Sequence, residues 1–331
     1  MNLEEARVYI DSSSDLLYSS YYIEGLYSVF GRQRVHYSSR YFKSFKHSNH
    51  FFAFVVIDKD EEKKVVVDFT DSKLVDDKAL GWCDVYGKIN LVFNSASSDK
   101  IVAIGPSFGI KIYNLFETLW YCGLNLVKAY NRIPNKRKFM SDYKAQFKRP
   151  KLESYSPEPS HERDVFFMAS IWKQEQATNR YRANFIKSCR SYPLIDFEGG
   201  FAPRRHNDVS GYEALTTASR VDMSVYLERI KQSAVVFNTP AVKDCHGWKL
   251  AEYLCLGKAI ISTPLLRVMP KPLTDGVHFL ITDGSVSGIE NALNTLFGSK
   301  ALRRSLEASS LEYFNKELAP ERVIKRLLNF N

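Results

Sequence analysis

The chain of 331 residues lacks any apolar run near the roughly 18 residues that a bilayer-spanning helix requires. Its start, MNLEEARVYIDSSS, holds three acids and no apolar core of the kind a secretory signal needs, so secretion is not expected. Cysteine is scarce. The five present (Cys83, Cys122, Cys189, Cys245 and Cys255) are odd in number and show no C-x-x-C spacing. Neither a disulfide framework nor a zinc site is expected, and reduced thiols in a cytoplasmic setting are. No cluster of carboxylates, histidines or thiols has metal-ligand spacing, so no metal is expected. No helix-turn-helix, RNP-type aromatic pattern or zinc finger accompanies the basic residues, which sets nucleic acid aside as a partner. No histidine stands out as a general base, and His36, His47, His50 and His246 stay open for that role.

What is present fits a globular protein of two ordinary domains. Hydrophobic residues make up 45% and charged residues 25% of the chain. The net charge of +9 is concentrated: Lys128–Lys151 holds nine basic residues and one acid, Asp142, leaving the rest close to neutral. Such a segment reads as a solvated linker or as a patch for an anionic membrane surface, where each basic group contributes about 1 kcal/mol.

Apolar runs alternate with helical patterns in both halves, which predicts an α/β fold. In residues 1–130, strand candidates RVYIDSS, RVHYSS, FFAFVVID, KKVVVDFT, WCDVYGKIN and KIVAIGPSFGI surround helical stretches at Leu16–Phe30 and Tyr113–Tyr130. A mostly parallel sheet is expected there. Residues 131–162 are basic, carry Pro134, Pro150, Pro157 and Pro159, and read as a connection. From 163 to 331 the alternation resumes: VFFMAS, PLIDFEGG (a strand ending in a Gly-Gly turn), AVVFNTP, KAIISTP and HFLITDG as strands, with helices between them. Two Rossmann-like doubly wound domains facing a cleft are the expected architecture, with ligands at the carboxyl ends of the strands. In the first domain, Ser12–Ser14, the turn Gly105–Gly109 and Asp84 are candidates to line that cleft.

The stretch Ser233–Leu265 carries most of the chemistry. It reads as a buried strand, a polar loop, a helix opened by Gly247, and a second buried strand. The first N–H groups of a helix have no internal partner and sit at the positive end of its dipole, so Gly247, Trp248 and Lys249 suit a phosphate. Glu252 lies about one turn further in, among apolar neighbours. A buried carboxylate needs a partner, and one there can accept from the two hydroxyls of a ribose. Asp244, in the loop, can contact a second sugar ring. Gly257 is a plausible C-cap of the helix.

This segment resembles the donor domain of GT-B glycosyltransferases of group 1, also called family 4, whose signature is E-G-F-G-L-P-x-x-E-A-x-A-x-G-x-P-V. The first acid falls on Asp244, the second glycine on Gly247, the second acid on Glu252 and the later glycine on Gly257. Cys245, His246 and Trp248 depart from the signature, and Asp244 is one methylene shorter than its glutamate. The resemblance covers Arg163 to the end. It implies a glycosyltransferase, retaining in this group, that uses a nucleoside-diphosphate sugar as co-substrate, a glycan or lipid-linked acceptor, and no resident cofactor. A basic pair early in the domain would meet the diphosphate, and Lys173 and Arg182 are the candidates, with Asp244 in the catalytic set. The pattern GWKLAEYLCLGKAII also resembles exostosin-like and fucosyltransferase-like enzymes, which invert. A sugar-nucleotide epimerase and a non-catalytic partner subunit remain further alternatives. Polysaccharide synthesis at the inner membrane face is the expected setting.

Overall fold

The computed structural model describes residues 5–45, 51–59, 61–93, 98–204 and 209–329, so His47 and His50 lie outside the described residues. The chain forms two compact units. The first contains Met1–Ser154, Val268–Pro270 and Lys316–Asn331, and the second contains Tyr155–Arg267 and Lys271–Asn315.

The first unit contains β1 (Arg7–Asp11), α1 (Leu16–Phe30), β2 (Val35–Ser38), β3 (Phe51–Asp58), β4 (Glu61–Asp68), α2 (Asp77–Trp82), β5 (Val85–Lys88), β6 (Ile101–Ala103), α3 (Leu115–Lys128) and α4 (Lys136–Phe147). Its sheet has the order β2-β1-β3-β4-β5-β6. Five strands run the same way, as the sequence predicts. The exception is β3, antiparallel to both β1 and β4, because β4 follows it too closely for the long crossover a parallel pair requires. The near-continuous apolar run of β3 suits a strand covered on both faces. Ala53 and Val55 pack with Phe42, Phe45, Val66 and Tyr86 on one side, while Phe52 meets Tyr22 of α1 on the other, at 5.9 Å between rings. Asp15 caps α1 by accepting from the Leu17 and Tyr18 N–H groups.

Most of the segment expected as a linker, 131–162, belongs to the first unit instead. Its eight Lys and Arg residues hide an apolar stripe. Phe139 and Tyr143, one turn apart on α4, are buried, and Tyr143 Oη accepts from Asn125 of α3 at 2.9 Å. Arg132 binds both carboxylate oxygens of buried Asp11 at 2.7 Å. The chain's last helix, Pro320–Leu328, expected with the second domain, also joins the first unit. It lies on α1, where Tyr21 Oη donates to Leu318 O at 2.6 Å. The approach requires Gly25: a Cβ there would stand 2.3 Å from Pro320 O.

The second unit contains β7 (Asp164–Ala169), α5 (Gln176–Ser191), β8 (Asp196–Phe201), α6 (Met223–Gln232), β9 (Val235–Asn238), α7 (Trp248–Cys255), β10 (Ala259–Ser262), β11 (Leu280–Ile281), α8 (Val286–Gly298) and α9 (Lys300–Tyr313). All its ladders are parallel: β7 with β8, β9 with β10, and β10 with β11. Strands β7 and β9 adjoin, since Ala234 N–H donates to Asp164 O at 2.7 Å and Phe166 N–H donates to Ser233 Oγ at 2.8 Å. Read across, the order is β8-β7-β9-β10-β11, the 2-1-3-4-5 order of a doubly wound fold. Alternate residues serve opposite faces. Phe237 stacks on Phe185 of α5 at 4.4 Å, and Phe166 meets Tyr226 of α6 on the far side. The Gly199–Gly200 pair, expected as a turn, lies inside β8. A Cβ on Gly199, at φ +121°, would stand 2.0 Å from Phe167 O.

Gly25 gives a test in which two effects have opposite signs. Helix propensity alone would make Gly25→Ala stabilising by about 1 kcal/mol. Overpacking against Pro320 costs about 1–3 kcal/mol, so the expected outcome is a lower denaturation midpoint. A raised midpoint would contradict the close helix approach.

Candidate donor site in the second unit

The strand order of the second unit reverses between β7 and β9. Loops leaving the carboxyl ends of those two strands diverge there, which opens the crevice where such sheets take ligands. The loop after β7 enters α5 and the loop after β9 enters α7.

Arg182 of α5 joins the two strand ends. Its Nη1 donates to Ser170 O at 2.8 Å, its Nε to Thr239 Oγ1 at 3.0 Å and its Nη2 to Pro240 O at 3.4 Å. The side chain is 8% exposed. Burial pushes its pKa down to about 10, against the opposing pull of Tyr253 and Glu175. It still carries its charge at neutral pH. Among the described residues no carboxylate lies within ion-pair distance of it, so its hydrogen bonds all go to neutral oxygens and the Glu175 charge reaches it only from further away. An electrostatic arrangement of this kind favours an incoming anion.

Lys249, on the first turn of α7, faces inward. Its Nζ donates to Met168 O and lies 4.7 Å from the centre of the Phe167 ring. Burial, then the Arg182 charge, push its pKa down to about 7, with Glu252 opposing. The side chain expected to add a point charge at the helix start is therefore engaged with the end of β7. Glu252 is buried, 5% exposed, as its apolar neighbours predict. Its charge raises the pKa values of Tyr253, Cys255 and Tyr226 and supports that of Lys249, so it sits amid the same group. Arg182, Lys249, Glu252 and Tyr253 thus form one interacting cluster. Lys173 is exposed on the loop after β7.

Gly247 is the N-cap of α7, at φ −83° and ψ 153°, and no side chain caps the helix. These angles do not call for glycine. A Cβ there would meet nothing closer than Ala241 Cβ at 3.7 Å. The fold therefore does not require this glycine, whereas a ligand approaching the backbone would. Trp248 is part-exposed at the first helical position. At the other end, Gly257 takes φ +58°, and Lys258 N–H donates to Tyr253 O at 3.0 Å, the 6→1 bond of a Schellman cap.

Asp244 lies in a strained turn. Lys243 and Asp244 both have positive φ, 54° and 61°, and neither is glycine. Lys243 N–H donates to Glu175 Oε1 at 2.8 Å, and Arg267 Nη2 donates to Lys243 O. Arg267 is 3% exposed and its Nη2 stands 4.0 Å from Asp244 Oδ2. The hollow beside this turn, lined by Thr239, Asp244, Gly247 and Leu266 among others, has a volume of about 10 Å³, room for one water molecule. The sequence reading missed Glu175, Thr239 and Arg267. Arg267 carried a signal: it is a lone cation in the apolar run Leu265–Met269.

Other candidates lie in the first unit. Ser12, Ser13 and Ser14 are buried beyond β1, and the Ser12 and Ser14 hydroxyls have no partner among the described residues. They share the carboxyl end of the sheet with buried Asp68, which accepts from Lys88 and Tyr86 at 2.6 Å. Asp84 is at the opposite end. It precedes β5 and accepts from Lys64 N–H at 2.7 Å, so it is an edge cap.

No protein-family model matches the chain, and no curated protein matches it by sequence. Among solved structures, it is similar to the C-terminal domain of a glycosyl transferase group 1 family protein from Francisella tularensis. That match has 13% identity and a TM-score of 0.37, and covers 50% of this chain and 96% of the other. A glycosyltransferase from Rickettsia africae matches at 10% identity and a TM-score of 0.43, over 74% of this chain and 62% of the other. Sucrose-phosphate synthase from Thermosynechococcus elongatus matches at 11% identity and a TM-score of 0.39, over 54% and 49%. The chain thus spans less than two thirds of the last two.

Lys249 yields a pH signature. Its folded pKa lies below the unfolded value near 10.4, so between about pH 7 and pH 10 the unfolded chain binds more protons. Stability contributed by the neutral amine therefore rises with pH across that window. Lys249→Met is expected to flatten the rise in urea midpoint from pH 7 to pH 9.5 relative to the parent. Parallel curves would place the amine in water.

Proposed function

We propose that the second unit binds a nucleoside-diphosphate sugar at the β7–β9 switch point, and that the chain transfers the glycosyl group to a hydroxyl of a glycan or lipid-linked acceptor. The observation that carries this reading is the buried Arg182 guanidinium, hydrogen-bonded only to neutral oxygens where two strand ends diverge. A diphosphate supplies the missing negative charge. The start of α7 at Gly247, which no side chain caps, sets the positive end of the helix dipole toward the same anion, and Glu252 lies one turn further in to accept from ribose hydroxyls. Asp244, on its strained turn, is the carboxylate nearest the surface and the candidate for the sugar. Lys173 follows β7 as a mobile-length cation for the outer phosphate.

In this reading Arg182 acts on the leaving group. As the glycosidic bond breaks, charge collects on the diphosphate, and a fixed cation in a low-dielectric setting stabilises that charge more than the ground state. Retention of configuration follows from the group 1 resemblance. Cell-surface polysaccharide synthesis in the cytoplasm is the setting we assign.

Calorimetry with UDP, GDP and ADP tests the donor site. At least one is expected to bind, and Glu252→Ala should weaken it about tenfold to a hundredfold, the cost of losing a bond to a charged group. Because Arg182 also holds the fold, Gly247→Ala provides the cleaner variant: an unchanged thermal midpoint with weakened nucleotide binding. If no nucleoside diphosphate binds, the donor-site reading is lost. Donor turnover that needs no acceptor would mark an epimerase or hydrolase.

A further inference from the structure

Helix α3 is built inside out. Leu115, Phe116, Leu119, Trp120 and Val127 are 58%, 75%, 66%, 59% and 79% exposed. At about 100° per residue, these positions span roughly 140° of the helix surface. The opposite face is the polar one, with Thr118 and Asn125 buried and Asn125 bonded to Tyr143 of α4. An ordinary surface helix turns its apolar stripe to the core. This one turns it to solvent, and the stripe continues into Tyr130 and Met140, 56% and 46% exposed.

The cations of the basic segment lie beside this stripe. Lys136 Nζ lies 4.4 Å over the ring of Tyr130. Some of the cluster is internally engaged, notably Arg132 with Asp11 and Lys138 with Asp15 and Asp142. Arg137, Lys144, Lys148 and Lys151 are exposed, and none has an ion-pair partner among the described residues.

We propose that the exposed face of α3, flanked by the cations of α4, docks the first unit onto an anionic lipid bilayer. The residue types suit an interface: aliphatic and Phe side chains to enter the acyl boundary, Trp and Tyr for the headgroup level, and Lys and Arg for acidic headgroups. Both signals that stable surface binding needs are present together, apolar insertion and charge. No helix among the described residues is long and apolar enough to cross a membrane, so the mode is attachment from one side. A second copy of the chain is the poorer occupant. It would bring a like-charged rim against this one, and protein interfaces are depleted in lysine. The inference is independent of the donor site.

The test is flotation of the full chain with vesicles of phosphatidylcholine alone and of phosphatidylcholine with phosphatidylglycerol. The protein is expected to float with the acidic vesicles at low salt, to be released by high salt, and to shift its tryptophan emission to the blue. Phe116→Ser with Trp120→Ser should weaken partitioning at least tenfold without lowering the thermal midpoint, because both side chains are exposed. Arg137→Glu with Lys144→Glu should abolish the preference for acidic vesicles. The proposal is overturned if the parent stays in the soluble fraction, if either double variant floats like the parent, or if the stripe instead supports a self-association that Phe116→Ser and Trp120→Ser abolish.

Discussion

A guanidinium withdrawn from water organises the second unit. Arg182 joins the carboxyl ends of β7 and β9 through Ser170 O, Thr239 Oγ1 and Pro240 O. Three neutral acceptors repay part of the desolvation cost, and the lowered pKa shows that they do not repay all of it. The rest of the site is arranged around that unbalanced charge. Lys249 is driven toward neutrality partly by it, and the Glu252 carboxylate is held in the same buried group. A packed apolar residue would join the strands at less cost. Retaining a cation here makes sense when an anion completes the arrangement.

The turn before α7 shows the same economy in the backbone. Two consecutive non-glycine residues in the left-handed region cost about 1–2 kcal/mol each. Glu175 from the α5 side accepts from the Lys243 N–H, and Arg267 from beyond β10 donates to the Lys243 carbonyl. Strain of this kind persists only where the surroundings over-determine it. Here it presents the Asp244 carboxylate, half exposed, beside the free start of a helix. Its carboxylate reaches one methylene less than a glutamate would, and the turn rather than the side chain sets where it stands.

Much of the second unit was legible because its signals are local. Continuous apolar runs marked β7, β9 and β10, Gly257 marked the end of α7, and the neighbours of Glu252 foretold its burial. What stayed hidden depends on distant partners. The direction of β3 is set by a hairpin on one side and by β1 on the other, and its own apolar run fits either sense. Helix α4 reads as linker because the eight Lys and Arg residues of 131–162 outweigh Phe139 and Tyr143 in any composition count. The C-terminal helix belongs with α1 because Gly25 lets Pro320 approach, a complementarity between positions nearly three hundred residues apart. Lys249 has the right spacing for a phosphate contact, yet its rotamer turns to Met168 O, and spacing alone carries no information about that choice.

Helix α3 marks the limit of periodicity as a guide. The same 3.6-residue pattern that identifies an amphipathic helix does not say which face meets water. The usual assignment, apolar side in, rests on the assumption that the only other solvent is water. In α3 the inward face is committed by specific contacts with other elements: Asn125 to Tyr143, Lys128 Nζ to Tyr37 O at 3.0 Å, and the Tyr121 ring stacked on Tyr113 at 4.7 Å. Glu117 also binds Arg32. These contacts orient the helix and leave Phe116, Trp120 and Val127 outside. A stripe of this size facing water is unfavourable in an isolated protein. Its presence beside a cluster of unpaired cations is the physical ground for giving the first unit a second solvent.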